Sequence, residues 1–172
     1  GVDFIAIDGG EGGTGAGPLT FTDHVALPFK KGFSRVHRVL AERGIEQDVV
    51  FMGAGKLGFP ETALLTIAMG CDLVLVAREA MLAIGCIQAQ RCHSNHCPTG
   101  VATQNRWLTR GLDPTLKSTR LANYVITLRK ELLALCRACG VPHPSLVRPD
   151  DLEVLEGIGE PPLLRVAVDA SR

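Results

Sequence analysis

Cys86, Cys92 and Cys97 fall in the segment CIQAQRCHSNHCPTG, at the spacing C-x5-C-x4-C. The thiolate is the metal-binding form of cysteine, and three of them so close in sequence are costly to bring together unless something binds them. The spacing is not the C-x2-C knuckle of zinc ribbons, and His93 and His96 within the segment lack the usual paired-histidine spacing. Nor is it the C-x2-C-x2-C run of small ferredoxins. Three soft ligands without an evident fourth suit a cuboidal iron–sulfur cluster short of one iron. Residues 86 and 92 stand about 240° apart around an α-helix. The helix must therefore break between them if both thiols are to reach one site. Asn95, Pro98 and Gly100 supply the loop signals for the third thiol.

A second kind of chemistry is suggested by glycine. The stretch after Ile7 reads DGGEGGTGAGP, with Gly9, Gly10, Gly12, Gly13, Gly15 and Gly17, and the stretch after Met52 reads GAGKLGFP. Such loops leave little side chain between backbone and ligand, so amides can approach an anion closely, with Lys56 available as a cation. The competing reading is that these glycines only shape tight turns. GAGKLG by itself is a weak signal, because it lacks the Lys-Ser/Thr ending of a P-loop.

Three short apolar strands precede these loops, at Val2 to Ile7, Val49 to Met52 and Leu73 to Val76. Between them Phe33, Val36, Val39 and Leu40 recur at helical spacing up to Gly44, and Glu61 to Met69 reads as a helix with Pro60 at its start and Gly70 after its end. An apolar helix through Ile84 follows AREAM. Strands alternating with helices predict an α/β fold with a parallel sheet covered on both faces, and ligands bind at the carboxyl ends of such strands. Leu121, Val125, Leu128, Leu132 and Leu135 form one stripe of a further long helix ending before Gly140. VPHPSLVRPDD reads as a loop, DLEVLEGIG as another helical turn and LLRVAV as a short extended segment.

Composition narrows the field. Lys plus Arg and Asp plus Glu both number 18, so no net field favours nucleic acid or an anionic membrane. No apolar run reaches transmembrane length and no signal peptide is evident, which sets a cytoplasmic expectation. Six cysteines in that compartment point to metal or redox chemistry rather than a disulfide framework. Cys136 and Cys139 form a C-x2-C near a helix end, but helical spacing puts both on the buried stripe, and Cys71 reads as a small core residue. His93 and His96 suit hydrogen bonds to sulfur better than ligation. His24 and His37 have no partner visible in the sequence, and Trp107 is expected to pack the loop after the cysteines.

Taken in order, IDGGEGGTGAGPLTFTDHVALP, the GAGK loop and GCIQAQRCHSNHCPTGVATQ resemble the synthase domain of glutamate synthase. They are most similar to the FMN-binding glutamate synthase-like proteins, over roughly residues 1 to 140. The resemblance implies a (β/α)8 TIM barrel carrying FMN and a 3Fe–4S cluster, of which the three strands here would be the sixth, seventh and eighth. It implies reductive amination of 2-oxoglutarate to glutamate with ammonia or glutamine. Electrons would come from ferredoxin or an NAD(P)H-dependent flavin subunit. Cys86, Cys92 and Cys97 then fall on the cluster ligands. Gly53, Ala54, Gly55 and Lys56 fall on the FMN phosphate loop, and the backbone of Ala77, Arg78 and Glu79 would complete it, with Lys56 and Arg78 as nearby charge. Asp8, Gly9, Gly10, Gly13 and Thr14 fall near the flavin ring and the oxo-acid. Two loops depart from the best-known members, which read Asp-Gly-Gly-Leu-Lys-Thr where this chain has Gly53 to Gly58 and Gly-Phe-Gly-Ser where it has Val76 to Glu79. Both changes fit the glutamate synthase-like subgroup.

The expected organisation is a partial barrel over residues 1–140 and a C-terminal extension over 141–172. A barrel takes about 250 residues, so this chain is expected to need the remainder of the barrel and to be inactive alone. Two other classes stay open: an FMN barrel oxidising or reducing another 2-oxo or 2-hydroxy acid, and a non-catalytic module held by zinc or disulfides.

Overall fold

A computed structural model of the protein describes residues 1–12, 17, 21 and 25–152. Phe4–Asp8 (β1), Val50–Ala54 (β2) and Leu73–Leu75 (β3) form a three-stranded parallel sheet in the order β1-β2-β3. Phe29–Ala41 (α1) connects β1 to β2 and Pro60–Ala68 (α2) connects β2 to β3. Arg78–Ala83 (α3) follows β3, and Pro114–Ala138 (α4) follows the cysteine segment. The α/β alternation is as the sequence implies, with shifted ends. Phe4 pairs with Val50 at the start of the ladder, so Val2 and Asp3 lie ahead of it. Ile7 and Asp8 pair with Gly53 and Ala54, which carries β2 two residues past its last bulky side chain. Backbone pairing sets that end, and residue type does not reveal it.

The expectation of helices on both faces fails among the described residues. Ile5, Ile7, Phe51, Gly53 and Val74 share one face by register, and Ile7 and Phe51 pack there with Phe29 and Phe33 of α1 and with Leu57, Met69 and Cys71. The other face presents Phe4, Val50, Leu73 and Leu75, all exposed, with Phe4 at 60% and Leu73 at 51%. The strand order explains this. It follows chain order without a reversal, and right-handed crossovers then lay every helix on the same side. Covering both faces requires a switch point, which this order lacks.

A second cluster joins Leu64 and Ala68 of α2 to Cys136 of α4 and to Val147, with Leu132, Leu135, Cys139, Val141 and Leu152 against it. The predicted stripe of α4 is therefore buried only in its C-terminal half, and Leu121 and Val125 are exposed. Length accounts for this. At about 1.5 Å per residue, the 9 residues of α2 offer much less contact than the 25 of α4 would need. The loop expected after α4 contains two short 3-10 turns, Pro144–Leu146 and Pro149–Asp151. The helical turn expected from Asp151 lies mostly outside the described residues, and the segment LLRVAV wholly so. Trp107 does not pack as expected: it is 72% exposed, and the Arg110 guanidinium lies 5.0 Å from its ring centroid. Among the described residues no helix is long and apolar enough to cross a membrane.

Candidate functional site

Asp8 closes β1 on the bare face of the sheet, in one register row with Ala54 and Leu75 at the carboxyl ends of the strands. The next residue, Gly9, donates its N–H to the Ala54 carbonyl at 2.8 Å and ties the first loop to the end of β2. Gly10 donates to Leu27 at 2.9 Å. A Cβ on Gly12 would lie 3.3 Å from Gly55 Cα, so the two glycine-rich loops touch backbone to backbone. Gly13 and Thr14, both expected near the oxo-acid, lie outside the described residues, as does His24.

What crowds these glycines on the helix side is Phe29. A Cβ on Gly53 would lie 2.7 Å from Phe29 Cζ and 3.0 Å from Cys71 Sγ, and one on Gly55 would lie 3.0 Å from Phe29 Cβ. A Cβ on Gly9 would meet Phe29 and the Glu11 carboxylate. Glu11 in turn accepts the Phe29 N–H at 2.9 Å. A carboxylate there satisfies a free amide and the positive end of α1, where Pro28 brings no capping side chain. Phe29 and Glu11 went unnoticed in the sequence reading. The available signal was strand parity: Phe51 and Gly53 alternate onto one face, so the missing side chain at 53 falls on the core side.

The loop after β2 has a mixed character. Gly53 is within β2 and buried, and its lack of side chain makes room for Phe29. Gly55 (φ 148°) and Lys56 (φ 55°) carry the chain through the left-handed region, at a cost for lysine that glycine escapes. Among the described residues, no backbone carbonyl accepts from the amides of Gly55, Leu57 or Gly58. That loop turns into α2, and segment 77–79 turns into α3. Glu79 is buried at 7% exposure, with its Cβ facing Gly58. Tyr124 of α4 reaches the same point, its hydroxyl donating to the Gly58 carbonyl at 2.7 Å.

The cysteine segment is irregular as expected: α3 ends at Ala83, and only Cys92–Ser94 forms a 3-10 turn. Gln88, Gln90 and Asn95 all have positive φ, near 55°, 55° and 62°. Asn95 is the hub of its far side, its side-chain oxygen accepting from the Thr103 hydroxyl at 2.8 Å and the Gln104 amide at 2.7 Å. Cys86 Sγ accepts from the Gln88 amide at 3.4 Å. Cys97 is buried, with its sulfur 3.5 Å from the Thr99 hydroxyl. Burial pushes the Cys97 thiol up, but the Thr99 hydroxyl and the amides of Ala102, Thr99 and Val101 outweigh it and bring the thiol down to about 7. All six cysteines are free thiols. Among the described residues no three His, Cys, Asp or Glu side chains converge as a metal site, so the structure does not draw Cys86, Cys92 and Cys97 together. Cys71 and Cys136 are core residues at 2% and 0% exposure, as their positions implied, and Cys139 packs beside the second cluster.

A family model for the conserved region in glutamate synthase matches residues 1–142. The chain belongs to the glutamate synthase family. It is 41% identical over 142 residues to the glutamate synthase large subunit-like protein YerD of Bacillus subtilis, covering 83% of this chain and 27% of that protein. It is 33% identical over 157 residues to the archaeal glutamate synthase [NADPH] of Methanocaldococcus jannaschii, covering 91% and 31%. It is 32% identical over 161 residues to ferredoxin-dependent glutamate synthase 1 of Arabidopsis thaliana, covering 90% and 10%. The chain thus spans less than a third of each of these relatives. Its two glycine-rich loops, the cysteine segment and the Tyr124 contact all lie within the stretch that the glutamate synthase model matches.

Proposed function

We propose that this chain is the flavin- and cluster-holding part of a glutamate synthase, an oxidoreductase that reductively aminates 2-oxoglutarate to glutamate. On this reading β1, β2 and β3 are the last three strands of a (β/α)8 barrel, and the bare face of the sheet is its interior. The observation that carries it is adjacency. Three parallel strands in chain order end in two touching glycine-rich loops. Among the described residues the loop after β2 bears amides without a backbone acceptor, and a segment of three free thiols follows α3.

The residues present fit both groups by chemistry. Amides of Gly55, Leu57 and Gly58 suit an anion such as the FMN phosphate, with Ala54, Lys56, Ala77, Arg78 and Glu79 forming the rest of that cradle. Three thiols in one loop suit the 3Fe–4S cluster, and N–H and O–H groups around Cys97 match the hydrogen bonding that tunes cluster sulfurs. Binding would close the loop around its ligand. When bound, FMN supplies hydride chemistry and the cluster supplies one-electron transfer. The chain's own part is positioning. On this reading Asp8, Gly9 and Gly10, at the carboxyl end of β1, would face the oxo-acid and the flavin ring, and Thr14, outside the described residues, is assigned to the same place by the resemblance alone. The loop at 53–56 fixes the phosphate end. Ammonia or glutamine would be the nitrogen source, and the relatives include both NADPH- and ferredoxin-dependent glutamate synthases.

Iron, acid-labile sulfide and flavin are to be measured in the intact protein beside Cys86→Ser, Cys92→Ser and Cys97→Ser. The expected result is flavin with iron and sulfide in a three-to-four ratio, cluster loss in each variant, and 2-oxoglutarate-dependent glutamate formation in the parent alone. A colourless protein holding stoichiometric zinc would refute the proposal.

A further inference from the structure

Most of the N-terminal half of α4 touches little: Leu121, Val125 and Ile126 are exposed, Ile126 at 64%. Tyr124 and Lys117 are exceptions. The Tyr124 hydroxyl crosses 66 residues of sequence to the Gly58 carbonyl. A Cβ on Gly58 would lie 2.6 Å from that hydroxyl, 2.8 Å from Val76 Cγ1 and 2.9 Å from Glu79 Cβ. The loop after β2, the segment after β3 and α4 therefore meet at one point. Burial of Tyr124 and its neighbour Glu79 push the phenol up, so it stays a hydrogen-bond donor. Seven residues earlier on the same helical face, Lys117 Nζ would lie 2.6 Å from a Cβ on Gly85, the residue before Cys86.

The loop's carbonyls are tied toward helices. The Gly58 carbonyl accepts from the Tyr124 hydroxyl, and the Phe59 and Lys56 carbonyls accept from the Thr62 hydroxyl at 3.0 Å and 3.4 Å. A carbonyl oxygen left free to swing toward a bound anion would repel it; one held by a phenol cannot.

We propose that Tyr124 is a positioning residue for the flavin phosphate, holding the Gly58 carbonyl away so that the amide side of the loop faces the anion. This rests on the reading of the loops at 53–58 and 77–79 as the phosphate site. If losing the bond lets the free loop leave its binding orientation by the usual net value of one hydrogen bond, FMN affinity falls about fivefold.

The test uses the intact apoprotein, titrated with FMN and with riboflavin, which lacks the phosphate. In Tyr124→Phe, FMN is expected to bind about fivefold more weakly, with riboflavin unchanged and the ring's packing preserved. Gly58→Ala, whose methyl displaces the phenol, should weaken FMN, and adding Tyr124→Phe to it should weaken FMN no further. Equal weakening of both flavins, unchanged FMN binding, or additive effects of the two substitutions would overturn the role of Tyr124. Parent protein that binds FMN no more tightly than riboflavin would remove the phosphate site itself, and the proposal with it.

Discussion

Replacing Gly53 with alanine separates the two readings of a glycine at a strand end. If the position exists only to let backbone approach a phosphate, the apoprotein should tolerate a methyl group there. The structure says otherwise. The new Cβ would sit 2.7 Å from Phe29 Cζ, 2.9 Å from Phe29 Cε2 and 3.0 Å from Cys71 Sγ, and ordinary contact begins near 3.4 Å. Phe29 cannot swing clear, being 2% exposed and packed on Phe33 at 5.4 Å between ring centroids. Overpacking of this kind costs about 1–3 kcal/mol. With a urea m-value of about 2 kcal/mol/M, that lowers the midpoint of unfolding of the apoprotein by roughly 0.5–1.5 M. Phe29→Leu removes the crowding atoms, so the double variant should be more stable than the two single losses predict, by about 1 kcal/mol. Circular dichroism against urea on the four apoproteins measures all of this. A Gly53→Ala apoprotein within about 0.5 kcal/mol of the parent, or strictly additive losses, would refute the packing argument.

Two further predictions concern stability. Gly100 (φ 79°) and Gly44 (φ 65°) share a left-handed backbone, but a Cβ on Gly100 would run into the Leu108 carbonyl, whereas Gly44 has nothing within 4 Å. Gly44→Ala should cost about 1 kcal/mol and Gly100→Ala clearly more, so thermal midpoints that reverse this order would contradict the structure. His37 lies between Phe33 and Phe51 with its ring over Gly70. Burial holds its pKa below the ordinary 6.5, against the pull of Glu46 and Asp72. The unfolded chain then takes up the proton first, so the contribution of neutral His37 is complete above about 6.5 and is lost as pH falls from there toward its lower folded value. His37→Phe should flatten that part of the curve of thermal midpoint against pH; an unchanged slope would assign the acid sensitivity elsewhere.

Much of the α/β order was legible because Val, Ile, Leu and Phe runs mark buried strands and because Pro60 and Gly70 punctuate α2. What escaped depended on partners. Gly53 and Ala54 join β2 because Ile7 and Asp8 pair with them. The apolar stripe of α4 was visible, yet only the stretch facing the short α2 is buried. The bare sheet face was hidden for a related reason: an apolar run looks the same whether the second face is covered by helices or by something else. The break in helical phase across the cysteine segment was legible, but the convergence of its three thiols on one site is not seen among the described residues. The amides that surround Cys97, from Thr99, Val101 and Ala102, come from a turn that spacing alone does not describe.

Strand parity draws these points together. In β2 the register sends Phe51 and Gly53 to the helix side and Val50, Met52 and Ala54 to the bare side. A glycine at 53 therefore answers to Phe29, while Asp8, Ala54 and Leu75 form the last row of the open face. Gly55, one residue past the strand and at φ 148°, is released from that alternation. A side chain there would press on Phe29 Cβ at 3.0 Å, and among the described residues no backbone carbonyl accepts from its own amide or from those of Leu57 and Gly58. One glycine-rich motif thus divides by position into a part that seats the first residue of α1 and a part whose amides no described backbone carbonyl takes up. Residue type alone cannot separate them, because both parts require the same missing side chain.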